Sequence, residues 1–311
     1  MKLLEKLTGK LYGKVFNARS DIAPGIHYFD ETHFDGLIKE DFSFNNDNDI
    51  TLRGGFYHYK TYDKDTLVIF NHGIGGGHQA YMKEIDYIAK NGFKVLAVDY
   101  MGCVLSDGSG MGGITQPLKD MSTCVDLIKN DYKNIYVVGH SWGGFVSQGL
   151  TALHPEIKKV VLLAGLNSLR TMLEQILKFP ASLLINTCCK LEKDKYGSLS
   201  ESSAAVNLNR SDLSGLYIQS RDDSILNIKY NLDLVKSQNT NKNIEFVYVD
   251  GKDHNPEYTK DAVIKLKAYL KKLKTIKSVE EKEKLADSTN WDELCEQDPI
   301  VMDKVVEFLK K

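Results

Sequence analysis

Short unbroken apolar runs alternate, through the middle of the chain, with stretches whose apolar residues recur at helical spacing. Residues 67–70, 93–99, 135–138 and 160–164 have the length and continuity of strands buried on both faces. Between them, residues 79–90, 116–129 and the segment bearing Phe145, Val146, Leu150 and Leu153 have the period of helices. This alternation predicts an α/β fold: a mostly parallel, twisted sheet with helices on both faces. Upstream, residues 41–44 and 50–60 predict an antiparallel hairpin turned by the polar run at 45–49. From 166 to 211 the strand pattern stops. Leu169, Met172, Leu173, Ile176 and Leu177, then Leu183, Leu184 and Ile185, follow helical spacing, punctuated by Pro180 and Gly197. Strand periodicity returns at 216–219 and 244–249, and two further helical patterns follow, 256–274 and 298–309, separated by the charged run 277–284. The pattern divides the chain into an extension (1–40), a core (41–165 and 212–311) and a helical insertion (166–211). That insertion leaves the carboxyl edge of the sheet and is expected to cap it. Either late helix has the apolar face needed to dock on the core.

With 311 residues, 42% of them hydrophobic, the chain can bury a large core. A net charge of −2 argues against a nucleic-acid partner. Five cysteines without a C-x-x-C pair suit a reducing compartment, and the expected location is cytoplasmic. Vicinal Cys188 and Cys189 lack the further ligands of a metal site, and no base supports Cys103 as a nucleophile. No apolar run reaches membrane-spanning length, and the N-terminus lacks the apolar centre of a secretory signal. Lys2, Lys6, Lys10 and Lys14 recur every four residues beside Leu3, Leu7, Leu11 and Val15. That pattern fits a helix in transient contact with a membrane surface; the favoured alternative is a frayed or docking helix, weakened by Gly9 and Gly13.

The run at 135–138 ends in Gly139-His140-Ser141-Trp142-Gly143, a G-x-S-x-G between strand and helix. The two glycines permit a tight, strained turn that lifts Ser141 clear of the sheet, and the Trp142 N–H would face a negative charge developing beside it. After residues 67–70 comes Asn71-His72-Gly73-Ile74-Gly75-Gly76-Gly77. No Lys-Ser/Thr follows, so this is not a phosphate loop; the N–H of Ile74 is instead expected to complete an oxyanion hole with that of Trp142. Gly73 and His140 are expected to border the substrate, the His140 ring itself turned away from the chemistry. His72 and His78 are expected to be structural, and the loop at 99–108 to border the pocket. The late strands end in Asp222-Asp223 and in Asp250-Gly251-Lys252-Asp253-His254. Of eight histidines, His254 alone follows a late strand with a candidate acid on the preceding one.

With its order Ser…Asp…His, the chain resembles the α/β-hydrolase superfamily over roughly residues 40–275. The carrying motifs are His72-Gly73-Ile74-Gly75, Asp99-Tyr100-x-Gly102, Gly139-His140-Ser141-Trp142-Gly143, the Asp222-Asp223 turn and Gly251-x-x-His254. They look most like the monoacylglycerol-lipase, carboxylesterase and proline-iminopeptidase-like branch. The resemblance implies Ser141 as nucleophile, His254 as base and Asp223 as acid, with Asp222 the second choice, acting on a small-molecule acyl ester without a cofactor. A serine at the nucleophile position departs from the dehalogenases and epoxide hydrolases of this fold, which use aspartate. Two alternatives remain at this point. One is a peptidase or amidase, with Glu174 or Glu201 meeting a substrate amine; the other is a silent hydrolase fold that only binds. Oligomeric state is not legible.

Overall fold

The computed structural model describes residues 2–177 and 181–311, with side chains from Thr8 onward; Pro180 and the side chains of Lys2, Leu3, Lys6 and Leu7 lie outside the described residues. Eight strands form one sheet: β1 (Ile38–Asn45), β2 (Thr51–His58), β3 (Thr66–Asn71), β4 (Lys94–Val98), β5 (Asn134–His140), β6 (Ile157–Leu163), β7 (Ser214–Ser220) and β8 (Ile244–Val249). The helices are α1 (Lys2–Phe16), α2 (Met82–Lys90), α3 (Gln116–Ile128), α4 (Trp142–Leu153), α5 (Leu169–Ile176), α6 (Ser182–Tyr196), α7 (Ala204–Asn207), α8 (Leu232–Gln238), α9 (Lys260–Leu273), α10 (Val279–Asp287), α11 (Trp291–Leu294) and α12 (Pro299–Lys310). The sheet runs β1-β2-β4-β3-β5-β6-β7-β8, with β2 antiparallel to both its neighbours, β1 and β4, and every other pair parallel.

Each parallel strand is apolar on both faces because helices cover both. On β3, Leu67 and Ile69 enter one core while Val68 and Phe70 enter the other, and β6 divides Val160 and Leu162 from Val161 and Leu163 in the same way. Strand order reverses at β3/β5. From β3 the chain moves outward to β4, then returns through α3 to β5 on the other side. The crevice at the carboxyl ends of two strands that part in this way is where open α/β sheets hold ligands. Asn71 pairs with Gly139 at that point, so the glycine-rich loop and the G-x-S-x-G turn emerge side by side.

The described residues of the 166–211 segment carry α5, α6 and α7 and no strand, matching the helical pattern expected there. Both late helices pack on one face of the sheet: Tyr269 and Leu273 of α9 share a core with Val301, Val305 and Leu309 of α12. The charged run between them contributes to α10 rather than to an open linker. At the N-terminus, Thr8, Tyr12 and Phe16 of α1 are buried, and the Tyr12 hydroxyl donates to Glu192 on α6 at 2.7 Å. The helix docks on the protein, with Lys10, Leu11, Lys14 and Val15 left exposed. No helix among the described residues is long and apolar enough to cross a membrane.

Candidate active site

Ser141 sits between β5 and α4 with φ 56° and ψ −117°, a left-handed conformation that costs a non-glycine residue on the order of 1–3 kcal/mol. Its flanking glycines are sterically required. A Cβ on Gly139 would run into the Gly143 carbonyl and the Ser147 hydroxyl, and one on Gly143 would run into the Asn71 carbonyl. Strand and helix therefore close tightly enough to push the serine outward, and Ser141 is half-buried where its neighbours are sealed.

The other two residues arrive from β7 and β8. The His254 Nε2 lies 2.9 Å from the Ser141 Oγ, and its Nδ1 lies 3.0 and 3.1 Å from the two carboxylate oxygens of Asp223. Asp223 is fixed by donors: the Ile225 and Leu226 N–H groups to Oδ1 at 2.9 and 2.8 Å, and the Gln219 amide to Oδ2 at 3.0 Å. Asp222 turns the other way. It accepts from the Ser220 hydroxyl and, at 2.8 Å, from the Gly251 N–H. Asp253, itself left-handed at φ 47°, accepts from the Ser224 N–H at 2.6 Å. Asp222 and Asp253 thus tie together the two loops that present Asp223 and His254.

Facing this line is the loop after β3. A Cβ on Gly73 would come within 3.3 Å of the Ser141 Cβ, so a side chain there would crowd the hydroxyl. Ile74 follows, half exposed at the rim (52%). The Trp142 N–H stands at the first position of α4, where a helix leaves its amides without intrahelical acceptors. The indole is anchored by donating to the Ile114 carbonyl at 2.8 Å. The loop rests on two buried histidines. His72 lies 2.7 Å by Nδ1 from the Gly73 carbonyl and takes the Tyr100 N–H on Nε2 at 3.1 Å; burial lowers its pKa to about 4, so it stays neutral. His78 lies between Tyr57 and Asp99.

A family model for the alpha/beta hydrolase fold matches residues 66–246, which run from β3 through β8 and include Ser141 and Asp223. The chain belongs to the α/β-hydrolase family. Its curated relatives include cis-3-alkyl-4-alkyloxetan-2-one decarboxylase of Shewanella oneidensis, 29% identical over 119 residues, which is 37% of each chain. Another is the putative carbamate hydrolase RutD of Serratia proteamaculans, 26% identical over 137 residues, 42% of this chain and 50% of that one. The chain therefore spans half or less of the length of the curated relatives it matches. Among solved structures, the Pyrococcus furiosus esterase Pf2001 superposes with a TM-score of 0.62 at 18% identity, covering 94% of this chain and 98% of that one. At that identity the likeness is one of fold.

One expectation is corrected by this α/β-hydrolase structure. His140 does not line an open substrate site. Its side chain is 4% exposed and both ring nitrogens are engaged, Nδ1 with the Tyr81 hydroxyl and Nε2 with the His254 carbonyl. The turn that projects Ser141 outward sends the preceding ring inward. The 99–108 loop, expected at the pocket, also carries the N-terminal segment. Ser20 N–H bonds the Gly102 carbonyl at 2.8 Å, and Arg19 reaches the Ser106 carbonyl at 2.9 Å. Its link to the site runs through Tyr100, packed edge-on to Trp142 at 5.5 Å. Tyr81 and Glu257, both behind His254, have no sequence signal: neither belongs to a motif, and their contacts span distant parts of the chain.

Proposed function

We propose that this α/β-hydrolase is a serine hydrolase that cleaves a carboxylic ester through an acyl-enzyme. The observation that carries the proposal is the unbroken hydrogen-bonded line Ser141–His254–Asp223 at the carboxyl ends of three strands. In this reading His254 Nε2 takes the hydroxyl proton as Ser141 Oγ attacks the ester carbonyl, and Asp223 holds the imidazole tautomer through Nδ1–H. The N–H groups of Ile74 and Trp142 stabilise the oxyanion. The alkoxide leaves with the proton from His254, and water, deprotonated by the same nitrogen, releases the acid and restores Ser141. Residues 166–211 serve as the cap. Gln175 of α5 supports this, bonding the Ile225 carbonyl at 2.8 Å and the Asn227 N–H at 2.9 Å, beside the acid.

The names of two relatives, an esterase and a putative carbamate hydrolase, agree with attack on an acyl carbonyl. The peptidase alternative gains no such support. Glu201 is paired with Lys193 at 2.7 Å and Glu174 faces Arg170 at 3.8 Å, so neither stands free for a substrate amine. Five thiols without a disulfide accord with a cytoplasmic protein. The test is turnover of p-nitrophenyl esters of rising chain length beside aminoacyl-anilides. Ester turnover that falls by about 10⁶ in Ser141→Ala is expected. Unchanged ester turnover in Ser141→Ala, or anilide turnover alone, contradicts the reading.

A further inference from the structure

His140 is buried yet placed between the two halves of the site. Its Nε2 lies 2.8 Å from the His254 carbonyl, and a carbonyl only accepts, so Nε2 carries the proton. Nδ1 is then an acceptor, and the Tyr81 hydroxyl, 3.0 Å away, must donate to it. Gly73 packs directly against that same hydroxyl, so closely that a Cβ there would come within 2.5 Å of it. Donor order is thereby fixed from Tyr81 through the His140 ring to the backbone of His254, with the Gly73 loop in contact at the Tyr81 end. Glu257 Oε1, at 3.9 Å from Nε2, is beyond hydrogen-bond reach and does not compete. Burial, reinforced by His254 at a ring distance of 4.8 Å, lowers the His140 pKa to about 3, so the single neutral tautomer persists through the working pH range.

We propose that His140 and Tyr81 are positioning residues that lock the oxyanion loop and the base loop into one register, so that the N–H of Ile74 and the Nε2 of His254 bear on the same carbonyl. This rests on the serine-hydrolase reading above. The ring touches neither substrate nor the reacting atoms. Its effect is on geometry, where displacements of about 1 Å in a reacting group are worth about 10²-fold in rate.

The test is kcat and KM on p-nitrophenyl acetate, with folding checked by circular dichroism and melting temperature. His140→Leu is expected to lower kcat about 10- to 100-fold with KM within about twofold. His140→Gln keeps an N–H donor at the Nε2 position and is expected to recover most of that loss. Tyr81→Phe, which keeps the ring but not the donor, lowers kcat by less and serves if His140→Leu does not fold. The double variant Tyr81→Phe/His140→Leu is expected to be no worse than His140→Leu, because Tyr81 acts through the imidazole. Folded His140→Leu with wild-type kcat, no rescue by glutamine, or losses that multiply in the double variant overturns the proposal. Wild-type protein that neither turns over the ester nor is labelled by a fluorophosphonate overturns the serine-hydrolase reading itself, and this inference with it.

Discussion

Two lines of hydroxyl, imidazole and carboxylate flank the glycine-rich loop after β3. In one, Ser141, His254 and Asp223 are joined at 2.9 and 3.0 Å; in the other, Tyr57, His78 and Asp99 are joined at 2.7 Å in both steps. By connectivity they are equivalent, and the second is the tighter. They differ in access. His254 is 16% exposed beside a half-buried serine, whereas His78 and Asp99 are at 1% and 0% and Tyr57 is at 1%. The closed line has no route for a substrate, and burial pushes its phenol further from ionisation. It serves as scaffold. Asp99 takes the His78 N–H and, on its other oxygen, the Leu105 N–H, and a Cβ on Gly77 would collide with it. The glycine loop that faces Ser141 is thus braced from below by a relay that does no chemistry. Hydrogen-bond pattern alone does not separate the two lines; access to the hydroxyl does, and the proposed function rests on the line whose hydroxyl is reachable.

The sharpest way to break this comparison is to weaken both carboxylates. Asp223→Asn is expected to cost about 10⁴ in kcat with little loss of stability, because the imidazole then loses its fixed tautomer. For Asp99→Asn the main loss is expected in stability, about 1–3 kcal/mol by chemical denaturation, since the buried His78 ring and backbone N–H and the Leu105 N–H lose a carboxylate acceptor. Comparable kcat losses in the two would erase the distinction. The hydroxyls give a smaller contrast. Tyr57→Phe is expected to cost about 1–3 kcal/mol of stability by leaving a buried imidazole nitrogen unpaired, with ester turnover unchanged.

The smallest effect concerns charge behind His254. Burial alone would raise Asp99, but His78, bonded to it through ring and backbone N–H, outweighs it and holds the carboxyl low. Glu257, as deeply buried, has no such partner. Burial, then the neighbouring Glu84, raises its pKa, and burial raises that of Glu84. A folded-state pKa above the unfolded value gives a contribution fully present below the unfolded pKa, about 4.5, and lost as pH rises through the raised folded-state value. Glu257→Gln lacks that term. Its melting temperature relative to wild type is therefore expected to improve steadily from pH 5 to pH 8; a constant gap would show the carboxyl to be ionised throughout.

Much of this was legible in the sequence, for identifiable reasons. The strand-and-helix alternation sets the sheet because apolar runs of 4–7 residues leave few other options, and the serine turn is marked by glycines that sterics demand. The choice between Asp222 and Asp223 was open because adjacent residues on a turn point in opposite directions, and the direction depends on which backbone N–H groups meet them. His140 was expected beside the substrate with its ring turned away; the ring's burial between the Tyr81 hydroxyl and the His254 carbonyl comes from contacts across the chain, which no periodicity reports. The Tyr57–His78–Asp99 line was invisible as a unit: its members come from β2, a loop and the end of β4, and only the folded sheet brings them together. The docking of α1 depended likewise on Glu192, 180 residues away.

Mass-spectrometric mapping of a fluorophosphonate adduct on the native protein tests the central claim most directly. A single adduct on Ser141 is expected, its rate collapsing in His254→Ala while Tyr57→Phe labels like wild type. A wild-type chain that stays unmodified, or an adduct that forms as fast in His254→Ala, would contradict it.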